Sequence, residues 1–388
     1  MAIIRRLIPS IPTPEAAQEP SAEEIAQPTV TPVSLAAPAA EVVAATSAAT
    51  TPGRTKSAKN KDRDLYQDVT NMVMVAIENG TAPWQQPWDG RARWPVNGVT
   101  GVPYHGINVM LLAAAGYQDA RWCSYKIGQK NGWQVRRDEE GTKIYFYKPF
   151  QRKTGEIDPE TQEPEVVTIP ILKNHTIFNL SQMDGAPELE HTNSHVCELD
   201  DLTEQKCLEI IDATGADIVY GQRRAAYSPS LDRIFMPDKE SFESDAHFFS
   251  TLLHELSHWS GHESRMNRQF GPARDSDQYA KEELRAEMAS AMIAMRLNLP
   301  GQIEGHAAYV DSYLKVLRDD KKEIFRAAKD AERMARYVLS HHPDFKDEFE
   351  AEHQVQMAAH AEAGAPEEIF DATDFDFESE ELSAHPSP

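Results

Sequence analysis

The segment TLLHELSHW contains two histidines four positions apart, His254 and His258, with Glu255 directly after the first. Residues at this spacing lie on one face of an α-helix, so both imidazole rings can reach one divalent cation. Imidazole nitrogens are common zinc ligands, and a catalytic zinc site adds a third protein ligand and a water molecule. The spacing therefore predicts a metal centre with Glu255 beside it.

The third ligand must come from elsewhere in the chain. A histidine six residues after His258 would complete the metzincin pattern, but Ser264 stands at that position. His262 lies one turn beyond His258, where Gly261 is expected to end the helix. Three histidines spaced by four residues also converge poorly on one point, which makes His262 the weaker candidate.

A carboxylate pair on the next predicted helix suits the site better. Glu283 and Glu287 lie four residues apart in the segment EELRAEMAS. We expect Glu283 to bind the metal and Glu287 to orient a ligand histidine, because metal-bound histidines usually hydrogen-bond such a group. The reverse assignment stays open. A chance match to so short a motif is the competing interpretation, but burying these charged groups without a partner would be costly.

A site of this kind predicts hydrolysis of a carbonyl compound, with a peptide bond as the expected target. One Zn²⁺ per chain would lower the pKa of its water toward neutrality, and Glu255 would accept the proton as general base. The strand around Ile234 to Met236 is expected to pair, as an edge strand, with an extended peptide. Candidates for the proton donor or oxyanion stabiliser are Tyr279, His306 and Tyr309.

The elements that would hold this centre form a mainly helical unit at residues 200–345. The segment HFFSTLLHELSHWSG predicts the histidine-bearing helix, and YAKEELRAEMASAMIAMRLNL predicts the glutamate-bearing helix. TEQKCLEIIDATG precedes them as a further helix, and two more are expected between His306 and Leu339. AAYSPSLDRIFMP reads as a β-hairpin ahead of the first metal-binding helix.

A separate α+β unit is predicted at residues 62–186. LYQDVTNMVMVAIENG has apolar residues at helical spacing and ends in Gly80, and a second helix is expected near Asn108. KIYFYKPF and VVTIPILKNHTIFNL have the composition of strands. The predicted fold class is therefore α+β, with a helical zincin-like (gluzincin-type) unit after a mixed one.

The α+β unit interleaves aromatic and basic residues, a combination that suits single-stranded nucleic acid. Aromatic faces stack on bases while a positive groove follows the phosphates. Residues 61–153 contain thirteen Lys/Arg and nine Asp/Glu, so the local charge is +4. A hydrophobic core surrounded by solvated cations is the alternative interpretation. The candidate contacts are Trp84, Trp88, Arg91, Arg93, Tyr104, Arg121, Trp122, Tyr125, Lys126, Lys130, Arg136, Arg137 and Lys143.

The ends of the chain differ from these two units in composition. Residues 1–61 are rich in Ala and Pro, which predicts a disordered head. Residues 346–388 contain thirteen acidic residues and one lysine, which predicts a disordered acidic tail and accounts for about half of the net charge of −23. Three cysteines without C-x-x-C spacing indicate a reducing compartment. With no signal peptide and no apolar run of membrane length, we expect a cytoplasmic protein that does not contact a membrane.

Several long motifs together resemble a known family. GTAPWQQPW, VNGVTGVPYHGINVMLL and RWCSYKIGQKNGWQVRRDEEGTKIYFYKP resemble the N-terminal domain of ArdC-type antirestriction proteins, which also occurs in TraC-type primases. AAYSPSLDRIFMP, TLLHELSHWSGHESRMNR and YAKEELRAEMASAM resemble the zincin-like metallopeptidase domain of the same family. The resemblance extends over roughly residues 62–340.

The resemblance implies a DNA-binding N-terminal domain, a zincin-like C-terminal domain and protection of incoming conjugative DNA from host restriction. It implies His254, His258 and a glutamate of EELRAE as metal ligands, and Glu255 as base. A host restriction-related protein would be the peptidase substrate. Two alternatives stay open. One is a single-stranded DNA-binding protein with a purely structural or inactive metal site, and the other is a regulatory or toxin-like zinc protease without a DNA role.

Overall fold

The protein has a mixed α+β fold, which confirms the predicted class. The computed structural model describes residues 64–84, 93–157, 164–189, 199–271, 276–299 and 309–362. Its helices are α1 (Leu65–Glu78), α2 (Ile107–Ala114), α3 (Tyr125–Lys130), α4 (Asp201–Thr214), α5 (Asp245–Trp259), α6 (Asp277–Leu297), α7 (Val310–Asp319), α8 (Glu323–Leu339) and α9 (Pro343–Glu362). Its strands are β1 (Val96–Asn97), β2 (Arg121–Ser124), β3 (Gln134–Val135), β4 (Thr142–Ile157), β5 (Pro164–Asn179), β6 (Met183–Asp184), β7 (Asp217–Val219), β8 (Ala226–Ser228) and β9 (Arg233–Phe235).

Helix α1 begins where the sequence predicts a helix start. The carboxylate of Asp64 accepts hydrogen bonds from the backbone N–H groups of Tyr66 and Gln67, which caps the first turn. The chain leaves the helix through Gly80, whose φ of +66° suits a residue without a Cβ. Between these ends, Val69, Val73 and Ile77 on the apolar face of α1 are buried in the core.

A four-stranded sheet forms the centre of the N-terminal half, in the order β1-β2-β5-β4. The two long strands β4 and β5 are antiparallel, with Thr142 opposite Ile177 at one end and Lys153 opposite Val166 near the other. Helix α2 is fastened to β4 by Asn108, whose side chain bonds both the N–H and the C=O of Tyr145. Of the residues for which the sequence predicts nucleic-acid contacts, Arg121 and Trp122 lie on β2 and Lys143 lies on β4.

A small three-stranded sheet precedes the histidine-bearing helix, in the order β7-β9-β8. The predicted hairpin is present, because Tyr227 of β8 pairs antiparallel with Ile234 of β9. The prediction that Ile234 to Met236 form an edge strand is wrong. Strand β9 is central, since β7 pairs with it in parallel on the other side and places Ile218 beside Ile234. An added peptide strand would have to pair with β7 or β8.

The N-terminal and C-terminal halves share one hydrophobic core, in which residues of α1 and α2 are buried together with residues of α5, α6 and α8. The hydroxyl of Thr70 on α1 donates a 2.8 Å hydrogen bond to the backbone oxygen of Lys321, just before α8. At the N-terminus of α2, the N–H of Gly106 and the ring of His105 both bond the buried carboxylate of Glu332 on α8. Helices α5 and α6, which carry the candidate metal ligands, are therefore packed against the N-terminal half.

The prediction that the chain is disordered from residue 346 is wrong for its first part, because α9 extends to Glu362. Phe345 is buried, and Arg296 of α6 lies 2.6 Å from the carboxylates of both Glu348 and Glu352. The guanidinium of Arg296 also covers the ring of Trp94 at 4.0 Å. An acidic helix is stabilised here by a buried arginine, which composition alone does not show. The rest of the predicted tail and the predicted head lie outside the described residues.

Two further sequence predictions concern the state of the cysteine thiols and the absence of a membrane-spanning helix. Cys123 and Cys207 are buried free thiols, and burial raises the pKa of Cys207 to about 12. In the part of the chain that the structure describes, every helix is too short or too polar to cross a bilayer.

Candidate metal centre and nucleic-acid interface

Helix α5 holds both histidines and the glutamate of the motif inside the protein. Its start is capped by Ser244, whose hydroxyl accepts a hydrogen bond from the N–H of His247. The leucines of its apolar face are fully buried against the core. His254, Glu255 and His258 are themselves less than a tenth exposed. The packing that buries the leucines therefore also fixes the two imidazoles.

The side chains of His254, His258 and Glu283 converge on one point. The Nε2 atoms of the two histidines are 3.1 Å apart, and their rings are nearly perpendicular at 83°. Oxygens of Glu283 on α6 lie 3.7 Å from Nε2 of His254 and 3.6 Å from Nε2 of His258. Among the described residues this is the group of three whose ligand atoms all lie within 4.8 Å of one another.

These separations fit a shared metal ion. Ligands about 2.0–2.2 Å from a tetrahedral ion lie about 3.4 Å from one another. The three observed distances, 3.1, 3.6 and 3.7 Å, are distributed around that value. Two imidazoles and one carboxylate suit Zn²⁺ and also other divalent transition metals. The donor set therefore fits a divalent cation without selecting one element.

The charges of the three groups also favour a cation. Burial alone would lower the pKa of His258, but the carboxylates of Glu283 and Glu282 outweigh burial and hold that pKa well above its ordinary value. Burial would raise the pKa of Glu283, yet the two histidines hold it well below its usual range. The shifts of Glu283 and His258 thus both indicate a local negative potential that stabilises positive charge at this point.

A buried carboxylate that the sequence analysis missed supports His258. Oε1 of Glu282 lies 3.3 Å from Nδ1 of His258, the ring nitrogen that faces away from the convergence point. Arg268 donates to both oxygens of Glu282, at 2.8 and 3.2 Å, and also to the backbone oxygen of Ser257. Such a partner fixes the orientation of a ligand histidine. The sequence predicts that Glu287 orients a ligand histidine, but the carboxylate of Glu287 bonds Trp84 and Tyr313 instead.

The turn after α5 allows Arg268 to reach this position. A Cβ on Gly261 would lie 2.7 Å from Nη2 of Arg268 and 2.8 Å from Cζ of Phe270. The backbone N–H of Arg268 donates to the oxygen of Gly261 at 2.8 Å, which closes the turn. The sequence signal was available in the motif HWSGHESRMNR, where glycine follows the second histidine and arginine follows the glycine by seven residues.

Glu287, the predicted alternative ligand, points to other partners. It is fully buried, and its Oε2 accepts a 2.8 Å hydrogen bond from the indole nitrogen of Trp84. Its Oε1 accepts a 2.9 Å hydrogen bond from the hydroxyl of Tyr313. The rotation of α6 that directs Glu283 and Glu282 toward the histidines leaves Glu287, one turn later, facing the N-terminal half.

Two of the three candidate proton donors lie near Glu283. Burial, together with the nearby charge of Glu283, raises the pKa of Tyr279 far above its ordinary value. The ring centroids of Tyr279 and Tyr309 are 5.8 Å apart. A tyrosine that keeps its proton can donate a hydrogen bond to a developing oxyanion. His306 lies outside the described residues.

The prediction that Trp84 and Trp122 stack on bases is wrong. Both side chains are at most 1% exposed. Trp122 lies in a small cluster with Leu112, and its ring meets Tyr117 edge to face at 5.3 Å. Tyr104 packs against the same cluster and is half-buried. The periodic aromatics of this half therefore build its core, which was the alternative interpretation. Trp88 and Arg91 lie outside the described residues.

The remaining candidates are on the surface and differ in their partners. Tyr125, Lys126 and Lys130 are exposed on the short helix α3, with 40% of Tyr125 accessible. Arg121 forms a two-point ion pair with Asp119, at 2.9 and 2.7 Å, and Arg136 pairs with Glu139 at 2.6 Å. Exposed candidates elsewhere on this half are Arg93, Arg137 and Lys143.

Comparison with protein-family models divides the chain as the motifs do. A model described as the N-terminal domain of anti-restriction factor ArdC matches residues 63–178. A model described as a zincin-like metallopeptidase matches residues 205–330. The second match contains the convergence of His254, His258 and Glu283.

Three relatives each match 72% of this chain. DNA primase TraC of Escherichia coli is 39% identical over 297 residues, which cover 72% of this chain but 27% of that protein. The chain thus spans about a quarter of this primase and a fifth of a second TraC primase that it matches. Uncharacterized protein y4eC of Sinorhizobium fredii is 33% identical over 72% of this chain and 93% of its own length.

Two crystal structures of an antirestriction protein from plasmid R388 are similar to this chain. The metal-free crystal structure of antirestriction ArdC protein from plasmid R388 is 37% identical and superposes with a TM-score of 0.59. It covers 72% of this chain and 98% of the plasmid protein. A Mn(II)-bound structure of the same protein gives a TM-score of 0.58 with the same identity and coverage.

Proposed function

The chain belongs to the ArdC family of antirestriction proteins, and from this premise we propose that it combines a metal-dependent peptidase centre with a surface for single-stranded DNA. The convergence of His254, His258 and Glu283 is the observation that carries the proposal. The proposed peptidase unit is residues 200–345 and the proposed DNA-binding unit is residues 62–186. The family matches at 205–330 and 63–178 support this division.

The proposed cofactor is one Zn²⁺ per chain, held by His254, His258 and Glu283. The nitrogen and oxygen donors and their mutual distances support zinc, and the Mn(II)-bound relative makes Mn²⁺ the competing ion. When bound, such an ion would lower the pKa of a water molecule and polarise the carbonyl under attack. Glu282 and Arg268 would hold His258 in the orientation that directs Nε2 to the ion.

The proposed reaction is hydrolysis of a peptide bond. Glu255, next to His254 on α5, would take the proton of the attacking water and pass it to the leaving amine. Burial and the charge of Glu283 raise the pKa of Tyr279, so Tyr279 would keep its proton and donate a hydrogen bond to the oxyanion. The extended substrate would add to the free edge of β8, because β9 already has two neighbours.

The proposed DNA surface lies on α3 and the adjacent strands. Tyr125 offers an exposed ring for stacking, and Lys126 and Lys130 supply charge on the same short helix. Lys143 on β4 continues the positive surface. We propose that this surface coats incoming conjugative DNA against restriction, and that a host restriction-related protein is the peptidase substrate. The family name and the TraC relatives support this role.

Purified full-length protein tests both parts of the proposal. Metal analysis should find about one ion per chain, and a peptide-library screen should show cleavage that a chelator abolishes. Filter binding to single strands should weaken as salt rises, because released counterions drive phosphate contacts. Metal binding without cleavage would leave a DNA-binding protein with an inactive centre. Cleavage without salt-dependent DNA binding would indicate a protease without a DNA role.

A further inference from the structure

Trp84 is the first of the two tryptophans in the GTAPWQQPW motif. The proposed function does not assign a role to it. Its side chain has no measurable exposure, so it does not serve as a stacking platform. Its indole nitrogen instead donates a 2.8 Å hydrogen bond to Oε2 of Glu287. The two residues are 203 positions apart, one in each half of the chain. The bond therefore joins the N-terminal half to the helix that carries Glu283.

Hydrogen bonds from Trp84 and Tyr313 stabilise the carboxylate of Glu287. It is fully buried, and buried charge is tolerated only where hydrogen bonds replace the lost water. Trp84 donates a hydrogen bond to one oxygen of Glu287, and the hydroxyl of Tyr313 donates to the other oxygen at 2.9 Å. Removing either donor would take one hydrogen bond away from a buried carboxylate, and this loss would favour a shift of α6.

The same network leads back to the metal centre by a second route. The ring of Tyr313 stacks on Tyr309, with centroids 6.2 Å apart and planes at 29°. Tyr309 contacts Tyr279, whose ring centroid is 5.8 Å away, and Tyr279 is close enough to Glu283 for that charge, together with burial, to raise the pKa of the tyrosine. Glu283 and Glu287 are also one helical turn apart on α6. The position of Glu287 is thus tied to that of Glu283 through the helix backbone and through the tyrosines.

We propose that Trp84 is a positioning residue of the metal centre, which holds Glu283 in place by way of Glu287 and Tyr313. The inference rests on the proposed metal site. If Trp84 has this role, the N-terminal half is required for the geometry of the metal site. Anything that moves the turn at residues 80–84 would then change the affinity for metal.

The test compares two tryptophans that both contact α6. Trp84→Phe keeps most of the ring and removes the N–H donor. Trp94→Phe is the matched control, because the indole of Trp94 donates to the oxygen of Tyr104 and its ring contacts Arg296, thirteen residues after Glu283 and about 20 Å along the helix. Dissociation constants for Zn²⁺ and Mn²⁺ would be measured in full-length protein by chelator competition. The visible spectrum of the Co²⁺-loaded protein would report ligand geometry.

We expect Trp84→Phe to weaken metal binding about 10-fold or more and to alter the Co²⁺ spectrum, as loss of other supporting contacts does. Trp94→Phe should stay within about twofold of wild type, well below the effect of a lost supporting bond. A Trp84→Phe protein with lowered melting temperature but unchanged affinity and spectrum would overturn the inference, because the tryptophan would then be only a packing residue. If wild-type protein itself binds no metal, the proposed function has failed instead.

A double-mutant cycle tests the route through Glu287. Glu287→Met has a similar volume and removes both acceptor oxygens, so Trp84→Phe should have little further effect on affinity in the Glu287→Met protein. Fully additive losses would contradict the proposed route. Should Trp84→Phe fail to fold, Tyr313→Phe removes the other donor, and it should likewise weaken binding and change the spectrum. Wild-type affinity in that variant would overturn the inference.

Discussion

The Nε2 atoms of His254 and His258 lie 3.1 Å apart. At that distance two neutral imidazoles can meet only by sharing one proton, whereas a cation could accept a lone pair from both. Glu283 completes the arrangement from the neighbouring helix at 3.6 and 3.7 Å. The helix spacing that the sequence predicts therefore produces a site in which three ligand atoms already stand at metal-binding distances.

Replacing Glu255 should separate chemistry from binding. Glu255→Gln removes the proposed base while keeping the size of a buried side chain. We expect peptide cleavage to fall by about 10²-fold or more, since loss of a general base typically costs 10²–10⁴. Metal content and DNA affinity should stay at wild-type values. A variant that cleaves at full rate would show that another group takes the proton.

The pair of Glu282 and Arg268 should control metal affinity without supplying a ligand. Glu282→Gln keeps the volume but loses the charge that faces His258 and Arg268. We expect metal binding to weaken about 10- to 100-fold while saturating metal still gives one ion per chain. Glu263→Gln, an exposed glutamate in the turn after α5, is the control. Equal affinities of the two variants would exclude a supporting role for Glu282.

The exposed lysines of α3 should contribute to the salt dependence of DNA binding. Lys126→Ala combined with Lys130→Ala removes two cations, so the slope of log K against log salt should decrease by about 1.4 for single strands. The control combines Lys315→Ala with Lys346→Ala, which removes the same charge from exposed positions of the C-terminal half. Filter binding over a salt series compares the two. Identical slopes would place the DNA surface elsewhere.

Acid should weaken the contact between the two halves at Glu332. Burial would raise the pKa of Glu332, but His105, Arg336 and the N–H of Gly106 outweigh it and lower the pKa to about 2 from 4.5. A lowered folded-state pKa contributes stability that is present above pH 4.5 and is lost as pH falls toward 2. The loss is on the order of 3 kcal/mol.

Urea unfolding between pH 5 and pH 2 measures this loss. Glu332→Gln should be less stable than wild type at neutral pH and should lose less stability on acidification. Glu350→Gln, an exposed carboxylate on α9, should follow the wild-type curve. The assignment fails if the wild-type and Glu332→Gln proteins lose stability equally over this range.

The parts of the site that follow from helix periodicity could be predicted from the sequence. The i, i+4 spacing of His254 and His258 dictates a shared face in any helix, and the following helix had to supply the carboxylate. Which glutamate of that helix faces the histidines depends on its rotation, which packing sets. The sequence analysis could therefore propose Glu283 but could not find Glu282 or the partners of Glu287.

Burial could not be inferred from composition in the N-terminal half. Tryptophans beside arginines suit both a nucleic-acid surface and a core with a charged rim, and Trp84 and Trp122 belong to the core. The position of β9 was missed because its parallel partner β7 has only three residues and belongs to another segment. Helix α9 was missed because its acidic residues are stabilised by Arg296, which lies outside the segment.

Metal content of purified protein tests the central claim most directly. After dialysis from metal-replete buffer, wild type and Glu263→Ala should each retain about one Zn²⁺ or Mn²⁺ per chain, the stoichiometry of a site with three protein ligands. Glu283→Ala should retain almost none while its circular dichroism spectrum stays that of wild type. Stoichiometric metal in the Glu283→Ala protein, or a wild type that takes up none, would contradict the account.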